Sequence, residues 1–280
     1  MSLTIEPSGE ACGARVTGVD LTESLTPDTV DAIRAAWLQH HVLVFPDQDM
    51  SDDDLERYTL SFGPFGEDPF IAPIEGREHI IAVQRDADET APVFAEVWHT
   101  DWSFQEKPPQ GTCLFGITIP PVGGDTLFAN QHKALEEMPD DLRGRIEGKI
   151  ALHSAWRGYS PKGVYGEMEA DSDRSMDIRP SEAAFATQTH PLVREHPETG
   201  RLGVFGTFGY IVGIEGMEDS EANALLGELH EWQSQERFQF RQKWQPKMLV
   251  MWDNRSVLHK ATSGYDGHAR LLHRTTIGAA

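Results

Sequence analysis

The order of apolar and polar positions divides the chain into a helical beginning and a strand-rich remainder. The segment "LTPDTVDAIRAAWLQHH" carries apolar residues at helical spacing behind a Thr-Pro start, and the apolar run "HVLVFPDQ" follows it. The segment "SDDDLERYTLSFG" begins with Ser51 ahead of acidic residues and ends at Gly63, a pattern typical of a second helix. We therefore expect a helix, a buried strand and a second helix in this order.

From about residue 78 the pattern changes to short apolar runs separated by Gly and Pro, which indicates the strands of a sandwich or barrel. These runs are "HIIAVQ", "GTCLFGITI", "GDTLFAN", "RLGVFGTF", "KMLVMWD" and "RLLHRTTIG". Two stretches predict single helices, "HKALEEMPDDLRGRIEGK" and "EDSEANALLGELHEWQSQ". The second has an apolar face made of Ala224, Leu225, Leu229 and Trp232.

The chain has 280 residues, enough for one enzyme-sized core. We expect a single domain over 1–280, mainly β with flanking helices. The segment from about 154 to 188 is polar, rich in Gly and weakly periodic. Long irregular insertions of this kind are typical of a lid over a site.

Composition excludes several classes of partner. The formal net charge is −21, with acidic stretches such as "SDDDLE" and "MEADSDRSMD", so nucleic acid is not an expected partner. No apolar run reaches the length that crosses a bilayer, and the N-terminus lacks a basic region followed by an apolar core, so we expect no membrane association. Cys12 and Cys113 lie far apart without metal-ligand spacing. These features predict a cytoplasmic protein without a disulfide framework.

One short motif carries candidate metal chemistry. In "VWHTDWSF", His99 and Asp101 stand two positions apart, so on an extended segment both side chains point to one side. The run "MWDNRSVLHKA" supplies His259 at the end of another strand-like segment. Two imidazoles and one carboxylate on one face of a metal form the facial triad of non-haem Fe(II) oxygenases. An H-x-D pair alone is not specific, and a hydrogen-bonded pair in the core is the alternative.

Two other motifs supply candidate anion-binding groups. "GGDTLFAN" places Thr126 behind a Gly-Gly turn, and "HARLLHRTTIG" contains Arg270 and Arg274. Their spacing keeps both guanidinium groups on one face of a strand, and would also do so on a helix. Two inward-facing guanidinium groups require anions. The alternative for Arg274 is an ion pair with an acidic residue of the protein.

Together these segments resemble a known enzyme family over nearly the whole chain. The segments are "WHTDWSF", "GGDTLFAN", "HPLVREHPETGRLGVF", "KWQPKMLVMWDNRSVLHKA" and "RLLHRTTI", with "ARVTGVDL" and "HHVLVFPDQDMS" nearer the N-terminus. The family is the taurine dioxygenase / 2,4-dichlorophenoxyacetate dioxygenase (TauD/TfdA) family of Fe(II)- and 2-oxoglutarate-dependent oxygenases. The resemblance implies a distorted double-stranded β-helix, which is a cupin-like jelly roll, and a homodimer or homotetramer.

The resemblance also implies roles for individual residues. His99, Asp101 and His259 match the family's Fe(II) ligands, and Arg270 with Thr126 matches the pair that binds the distal carboxylate of 2-oxoglutarate. A planar guanidinium grips a carboxylate with two charge-assisted hydrogen bonds, and a hydroxyl adds a third donor. The resemblance implies O2 as the second cosubstrate beside 2-oxoglutarate. No catalytic residue is expected beyond the iron centre.

The substrate pocket departs from that of the taurine enzyme. Arg274 matches the family position that meets an anionic group of the substrate. The taurine enzyme's substrate-binding His has no counterpart in "DPFIAPIEG", and Ala95 stands where that enzyme has an Asn four positions before the first iron-binding His. The candidate lining residues are aromatic instead: Phe70, Trp102 and Phe104, with Phe205 or Phe208 opposite. Such a pocket predicts a hydrophobic organic anion, namely an alkyl or aryl sulfonate, a sulfate ester or an aryloxyalkanoate.

Three alternatives stay open at this point. Each aromatic residue could belong to ordinary core packing. The substrate could be taurine despite the two missing polar partners. The chain could also be a non-catalytic jelly roll that binds a metal and 2-oxoglutarate. Residues 252–255, "WDNR", precede His259 and are expected to support it from behind.

Overall fold

The computed structural model describes residues 3–279. The strands are β1 (Thr4–Pro7), β2 (Ala14–Thr17), β3 (Val42–Phe45), β4 (Ile81–Arg85), β5 (Gly111–Thr118), β6 (Thr126–Asn130), β7 (Ile150–Ser154), β8 (Thr187–Pro191), β9 (Val193–Glu195), β10 (Leu202–Val204), β11 (Ile211–Ile214), β12 (Gln239–Gln242), β13 (Leu249–Asp253), β14 (Val257–Ala261) and β15 (Arg270–Ile277). The helices are α1 (Pro27–His40), α2 (Asp52–Leu60), α3 (Gln131–Glu136), α4 (Asp140–Ile146), α5 (Trp156–Tyr159) and α6 (Asp219–Gln233). Short 3-10 helices lie at Glu167–Glu169, Glu182–Phe185 and Glu236–Phe238.

Two sheets enclose the central core. A seven-stranded sheet has the order β1-β2-β3-β13-β5-β15-β4, and a three-stranded sheet has the order β12-β6-β14. Phe128 and Phe240 of the smaller sheet pack with Leu114, Val250 and other apolar side chains of the larger one. Helices α1 and α2 cover the other face of the large sheet. The mainly β fold with flanking helices is confirmed, and it is the jelly-roll fold that the family resemblance implies.

Two smaller sheets extend the fold on one side. One contains β11-β7-β8 and the other β10-β9. Helices α3, α4 and α6 pack against these strands through a second apolar cluster, which includes Leu135, Ile146, Ile211 and Leu229. This part of the molecule includes the segment from 154 to 188, which forms α5 and two of the 3-10 helices.

Local sequence signals account for the first helices. The side chain of Thr26 accepts a hydrogen bond from the backbone of Thr29, and Pro27 opens α1. Ser51 and Asp54 form a reciprocal capping box at the start of α2. The second helix ends at Leu60, three residues before the predicted stop at Gly63. Each predicted strand run contains a strand.

Two helix predictions need correction. "HKALEEMPDDLRGRIEGK" was expected to form one helix, but it forms α3 and α4 with Pro139 at the start of α4. Proline lacks the N–H that a helix interior requires and disfavours helical backbone before it. In α6 the residue Ala224 is exposed and Trp232 is only half-buried. The fully buried face is formed by Ala222, Leu225, Leu226, Leu229 and Gln233.

Two further structural findings concern the helices and the cysteines. Within residues 3–279, no helix combines the length and the apolar character needed to span a membrane. Cys12 and Cys113 are both free and buried. Burial raises the pKa of the Cys113 thiol to about 12, so this residue packs as a small apolar group.

The contact between β5 and α1 gives a testable prediction about stability. A Cβ added to Gly111 would lie 2.4 Å from Cζ2 of the buried Trp37 and 2.9 Å from the backbone oxygen of Trp252. We expect Gly111→Ala to lower the free energy of unfolding by about 1–3 kcal/mol, because overpacking forces neighbouring groups apart. Urea denaturation measures the change.

A second glycine provides the control. A Cβ on Gly144 in α4 meets nothing within 4 Å. Since glycine is a poor helix former, Gly144→Ala should raise the free energy of unfolding by about 0.5–1 kcal/mol. Equal stability of the two variants would contradict the packing described for Gly111.

Candidate metal centre and substrate cavity

Backbone pairing brings the two candidate histidine ligands together. The backbone N–H of His99 donates to the carbonyl of His259 at 3.0 Å, and that of His259 donates to the carbonyl of His99 at 2.8 Å. Residues paired in this way across antiparallel strands project their side chains to the same face. The two imidazole centroids lie 4.2 Å apart.

Asp101 completes the cluster from the turn that follows His99. Its Oδ1 lies 3.6 Å from Nε2 of His99 and 3.6 Å from Nε2 of His259. The potential ligand atoms of the three residues all lie within 4.8 Å of one another, and the three side chains are buried. Two imidazole nitrogens and one carboxylate oxygen are a donor set that suits Fe(II). The predicted triad is therefore assembled.

Hydrogen bonds hold two of these side chains in place. Nδ1 of His99 lies 2.9 Å from the carbonyl oxygen of Val97, so the proton resides on Nδ1 and Nε2 keeps its lone pair. Oδ2 of Asp101 accepts a hydrogen bond of 2.6 Å from the hydroxyl of Thr112. The side-chain amide of Asn254 donates in turn to Thr112 at 2.9 Å. Asp101 is thus oriented by a buried chain of two side chains.

Of residues 252–255, which were expected to support His259, only Trp252 contacts its imidazole. Among the described residues, Nδ1 of His259 has no hydrogen-bond partner, and the imidazole packs against Trp252 with ring centroids 4.7 Å apart. Asn254 supports Asp101 instead. Asp253 is bound to His196 and Arg255, away from the cluster. The sequence did not point to Thr112, since it reads as one more residue of a buried strand.

Charge and burial set the protonation states that metal binding needs. Burial, with a smaller effect of His99, lowers the pKa of His259 to about 3. Burial alone would raise the pKa of Asp101, but the neighbouring His259 and Arg274 hold it well below its usual range. His259 therefore presents a neutral imidazole and Asp101 an ionised carboxylate, the forms that bind metal ions.

Thr112 provides a prediction about metal affinity. Thr112→Val removes the hydroxyl that orients Asp101 while keeping the volume of the side chain. Residues that hydrogen-bond to metal ligands typically raise metal affinity by about 10–100-fold. We therefore expect the affinity for Fe(II), measured by anaerobic calorimetric titration, to fall by about that factor. Thr112→Ser keeps the hydroxyl and should retain most of the affinity. Wild-type affinity in the valine variant would show that the hydrogen bond has no influence on the ligand.

Arg270 and Thr126 meet beside Trp244. The indole N–H of Trp244 donates to the hydroxyl of Thr126 at 2.9 Å, and the guanidinium carbon of Arg270 lies 5.9 Å from the Trp244 ring centroid. Arg270 is 6% exposed, and its one hydrogen bond in the described part of the chain goes to the carbonyl of Gly124 at 3.2 Å. Within residues 3–279 it has no carboxylate partner, and its Nε is unsatisfied. Burial lowers its pKa to about 10. A buried cation without a partner fits a carboxylate-bearing ligand.

A cavity of about 630 Å³ lies beside His99 and Asp101. Three of the predicted substrate residues line it, namely Trp102, Phe208 and Arg274. Arg270 and Thr126 do not line this cavity. Arg270 lines a small pocket instead, and Phe94 borders both this pocket and the large cavity.

Phe70 and Phe104 do not reach the cavity, which corrects the prediction for both. Phe70 stacks on Tyr159 with centroids 5.1 Å apart, and Phe104 packs on Tyr210 at 5.0 Å. They belong to an apolar cluster behind the wall, as the core-packing alternative states. Phe205 packs with His153 and His190 elsewhere.

Irregular segments supply most of the cavity wall. Residues from 92 to 98 form one side. The segment predicted as a lid forms another, through Arg157, Gly158, Tyr159, Val164, Tyr165, Glu169 and Arg174. Since such segments have no periodic pattern, the lid prediction for 154–188 does not identify which of its side chains face the cavity. Opening and closing of the segment stays a prediction.

Arg274 pairs with an acidic residue that the sequence alone does not identify. Its Nη2 donates to Oδ1 of Asp68 in a close ion pair, and its Nη1 lies 3.7 Å from Oδ1 of Asp101. Asp68 also accepts a hydrogen bond of 2.8 Å from the indole of Trp102. The side chains of Arg274 and Asp68 are only 6% and 9% exposed. The alternative of an ion pair is therefore realised, although as a buried pair at the cavity wall.

Comparisons with known proteins agree with this geometry. Residues 4–276 match the family described as taurine catabolism dioxygenase TauD, TfdA family. An alkylsulfatase of Acinetobacter baylyi is 32% identical over 95% of this chain and 81% of that protein. The alpha-ketoglutarate-dependent 2,4-dichlorophenoxyacetate dioxygenase of Cupriavidus pinatubonensis is 32% identical over 100% of this chain and 99% of that protein. A crystal structure of a taurine dioxygenase from Burkholderia xenovorans superposes with a TM-score of 0.81 at 29% identity, covering 100% of this chain and 92% of that one.

Proposed function

Because this chain belongs to the TauD/TfdA family of dioxygenases, we propose that it hydroxylates a hydrophobic organic anion in the cavity beside His99 and Asp101. The chain is an Fe(II)- and 2-oxoglutarate-dependent dioxygenase, as its relatives are. The convergence of His99, Asp101 and His259 on one point is the observation that carries the proposal. The non-catalytic alternative has no support among these relatives, which bear the names of enzymes.

The three side chains of the cluster would hold Fe(II) from one side. Bound iron supplies the activation of O2, coupled to decarboxylation of 2-oxoglutarate to succinate and CO2, with one oxygen atom entering succinate and the other entering a substrate C–H bond as hydroxyl. Thr112 fixes the orientation of Asp101 through its hydrogen bond. The buried surroundings keep bulk water away from the reacting groups.

Arg270 and Thr126 would hold the distal carboxylate of 2-oxoglutarate. The planar guanidinium offers two parallel donors to a carboxylate. The hydroxyl of Thr126 accepts from Trp244, so its own proton is free to be donated to the cosubstrate. Arg270 lines the small pocket that shares Phe94 with the large cavity. We infer that the cosubstrate enters between the small pocket beside Arg270 and the metal cluster.

The cavity supports a substrate with a substantial apolar part. A volume of about 630 Å³ falls within the range of sites that hold drug-sized molecules. Trp102 and Phe208 contribute apolar surface, and Tyr165 lies on the lid-side wall. The relatives' names mention sulfate esters and aryloxyacetates, which combine an apolar group with an anion. If the hydroxylated carbon carries a heteroatom leaving group, the product collapses to an aldehyde or ketone.

Succinate release tests the proposal and separates it from the taurine alternative. The purified enzyme is supplied with Fe(II), 2-oxoglutarate and O2, and succinate is measured with taurine, octyl sulfate, octanesulfonate and 2,4-dichlorophenoxyacetate in turn. We expect stimulation by the larger anions and little by taurine. Stimulation by taurine alone would favour the taurine-type activity, and none by any organic anion would contradict the proposed substrate class.

We also infer a cytoplasmic location and a homodimeric or homotetrameric assembly. The two buried free thiols are compatible with a reducing compartment. Light scattering coupled to size-exclusion chromatography measures the assembly, and fractionation of the source cells measures the location. A monomer, or recovery outside the cytoplasm, would contradict the respective inference.

A further inference from the structure

One buried carboxylate outside the metal cluster lies beside the small pocket. Glu89 follows β4, and its side chain is 1% exposed. It lines the small pocket together with Arg270, and the proposed chemistry gives it no role. Burying a carboxylate is costly unless cations and hydrogen-bond donors surround it. Its partners therefore show which parts of the molecule it holds together.

On the side of the small pocket the partner of Glu89 is Arg85. The guanidinium of Arg85 donates to the backbone carbonyl of Glu89 at 2.8 Å, and its Nη1 lies 3.5 Å from Oε1 of Glu89. Arg85 stands opposite Arg270 in the pairing of β4 with β15. The guanidinium carbons of these two arginines lie 5.8 and 6.0 Å from the ring centroid of Tyr265. The loop after β4 is therefore fixed to the wall of the small pocket.

The other partners of Glu89 belong to the segment predicted as a lid. Oε2 of Glu89 accepts hydrogen bonds from the backbone N–H and the hydroxyl of Ser175 at 2.9 and 2.5 Å. Oε1 of Glu89 lies 4.0 Å from Nη1 of Arg174. Arg174 in turn pairs with Glu169 at 2.7 Å, and both of these residues line the large cavity. One carboxylate thus connects the small pocket with the wall of the large cavity.

A second acidic residue attaches the same part of the lid segment to the same loop. Asp173 accepts hydrogen bonds from the backbone N–H groups of Thr90 and Ala91 at 2.7 and 2.9 Å. Asp173 is exposed, whereas Glu89 is buried. Hydrogen bonds that are shielded from water are stronger than exposed ones. We therefore expect Glu89 to contribute more to this attachment than Asp173.

Aromatic contacts continue the attachment along the cavity wall. The guanidinium carbon of Arg174 lies 5.2 Å from the ring centroid of Tyr165. The ring of Tyr165 packs against Phe94 with centroids 5.6 Å apart. All three residues line the large cavity, and Phe94 also borders the small pocket. A displacement of Arg174 would therefore disturb the aromatic part of the wall.

We propose that Glu89 is a positioning residue for the substrate cavity, which fixes Arg174 and Ser175 of the lid segment against the loop beside the small pocket. The substrate then meets a wall that is already ordered. Without this attachment, part of the binding free energy would be spent on ordering the wall. The inference rests on the proposed function, because it concerns the wall of the site in which the substrate is proposed to bind.

Hydrogen exchange of the full chain, before any organic ligand is added, tests the attachment. Glu89→Gln keeps the size of the side chain and removes its charge. We expect the backbone N–H groups of residues 171–176 to exchange about 10-fold to 100-fold faster, as the loss of charge-assisted hydrogen bonds implies. Exchange in β5 should not change, because local opening leaves the rest of the fold intact. The variant should fold, since Arg174 keeps its pair with Glu169.

The neighbouring acidic residue provides the matched control. Asp88 is exposed and takes part in no hydrogen bond or ion pair within residues 3–279. Asp88→Asn removes the same charge from the same loop, and exchange in residues 171–176 should equal that of the wild type. Wild-type exchange in Glu89→Gln, or equal acceleration in both variants, would overturn the proposal.

Binding of two ligands separates positioning from general damage to the fold. Anaerobic enzyme loaded with Fe(II) is titrated calorimetrically with 2-oxoglutarate and then with octanesulfonate as the probe. In Glu89→Gln we expect the dissociation constant of octanesulfonate to rise at least about threefold, because less of the protein has an ordered wall. That of 2-oxoglutarate should rise less than about threefold, since the variant removes a negative charge beside Arg270. Unchanged affinity for octanesulfonate, or equal loss for both ligands, would contradict the positioning role.

The exchange and binding measurements also distinguish failure of this inference from failure of the proposed function. If the wild type binds no octanesulfonate, the proposed substrate class is wrong, and exchange in residues 171–176 still decides whether Glu89 holds the lid segment. If the wild type binds octanesulfonate but Glu89→Gln leaves that exchange unchanged, the role of Glu89 is wrong and the proposed function stands.

Discussion

His99→Ala is expected to abolish turnover, because it removes one of the two imidazole ligands and leaves the other members of the cluster too few to hold Fe(II). Removal of a residue that only hydrogen-bonds to a metal ligand lowers metal affinity by about 10–100-fold. Removal of the ligand itself should lower the affinity for Fe(II) by more than that. Anaerobic calorimetric titration with Fe(II) measures the affinity, and succinate release measures the activity. Both should fall together.

A half-buried histidine outside the metal cluster serves as the control for this variant. His190 bonds through its ring to the carbonyl oxygen of Gln105 at 3.0 Å and does not line the cavity. His190→Ala should keep Fe(II) affinity and succinate release. If His99→Ala retained both as well, the cluster of His99, Asp101 and His259 would not be the metal centre.

Arg270→Ala is expected to raise the 2-oxoglutarate requirement strongly while Fe(II) binding is kept. Removing one member of a buried charge pair typically costs about 2–5 kcal/mol, which corresponds to roughly 30-fold to several thousand-fold in the apparent KM for 2-oxoglutarate. The large effect follows from the burial of Arg270 and from its lack of any other carboxylate partner in residues 3–279. Initial rates of succinate formation over a range of 2-oxoglutarate concentrations measure it.

Arg270→Lys separates charge from geometry. Lysine keeps the positive charge but cannot offer two parallel donors to a carboxylate, so its apparent KM should lie between those of the wild type and the alanine variant. Unchanged kinetics in Arg270→Ala would contradict the assignment of the cosubstrate site.

Local and periodic features of the chain were predictable from the sequence. The metal candidates lie in two short motifs, whereas the bridge that pairs His99 with His259 of β14 lies outside the strands on the His99 side. The caps at Thr26 and Ser51 mark helix starts through hydrogen bonds that span three residues. Information of this kind lies in neighbouring positions, and the alternation of strand side chains transmits it to the fold.

Contacts between distant positions could not be predicted in this way. The pair of Asp68 and Arg274 joins residues 206 positions apart, and nothing in "DPFIAPIEG" marks Asp68 as the partner of an arginine. The same holds for the aromatic residues. Phe70 and Tyr159 stack on each other, yet only Tyr159 reaches the cavity. Composition cannot distinguish a residue on the cavity wall from one packed just behind it.

We propose that His99, Asp101 and His259 hold Fe(II) while Arg270 and Thr126 hold 2-oxoglutarate beside it. The most direct test is an anaerobic titration of the metal-free protein with Fe(II) and then with 2-oxoglutarate, followed by visible absorption. We expect a charge-transfer band when the 2-oxo acid chelates the iron, and a shift of that band when a hydrophobic anion is added. Binding of Fe(II) without any band on addition of 2-oxoglutarate would contradict the account.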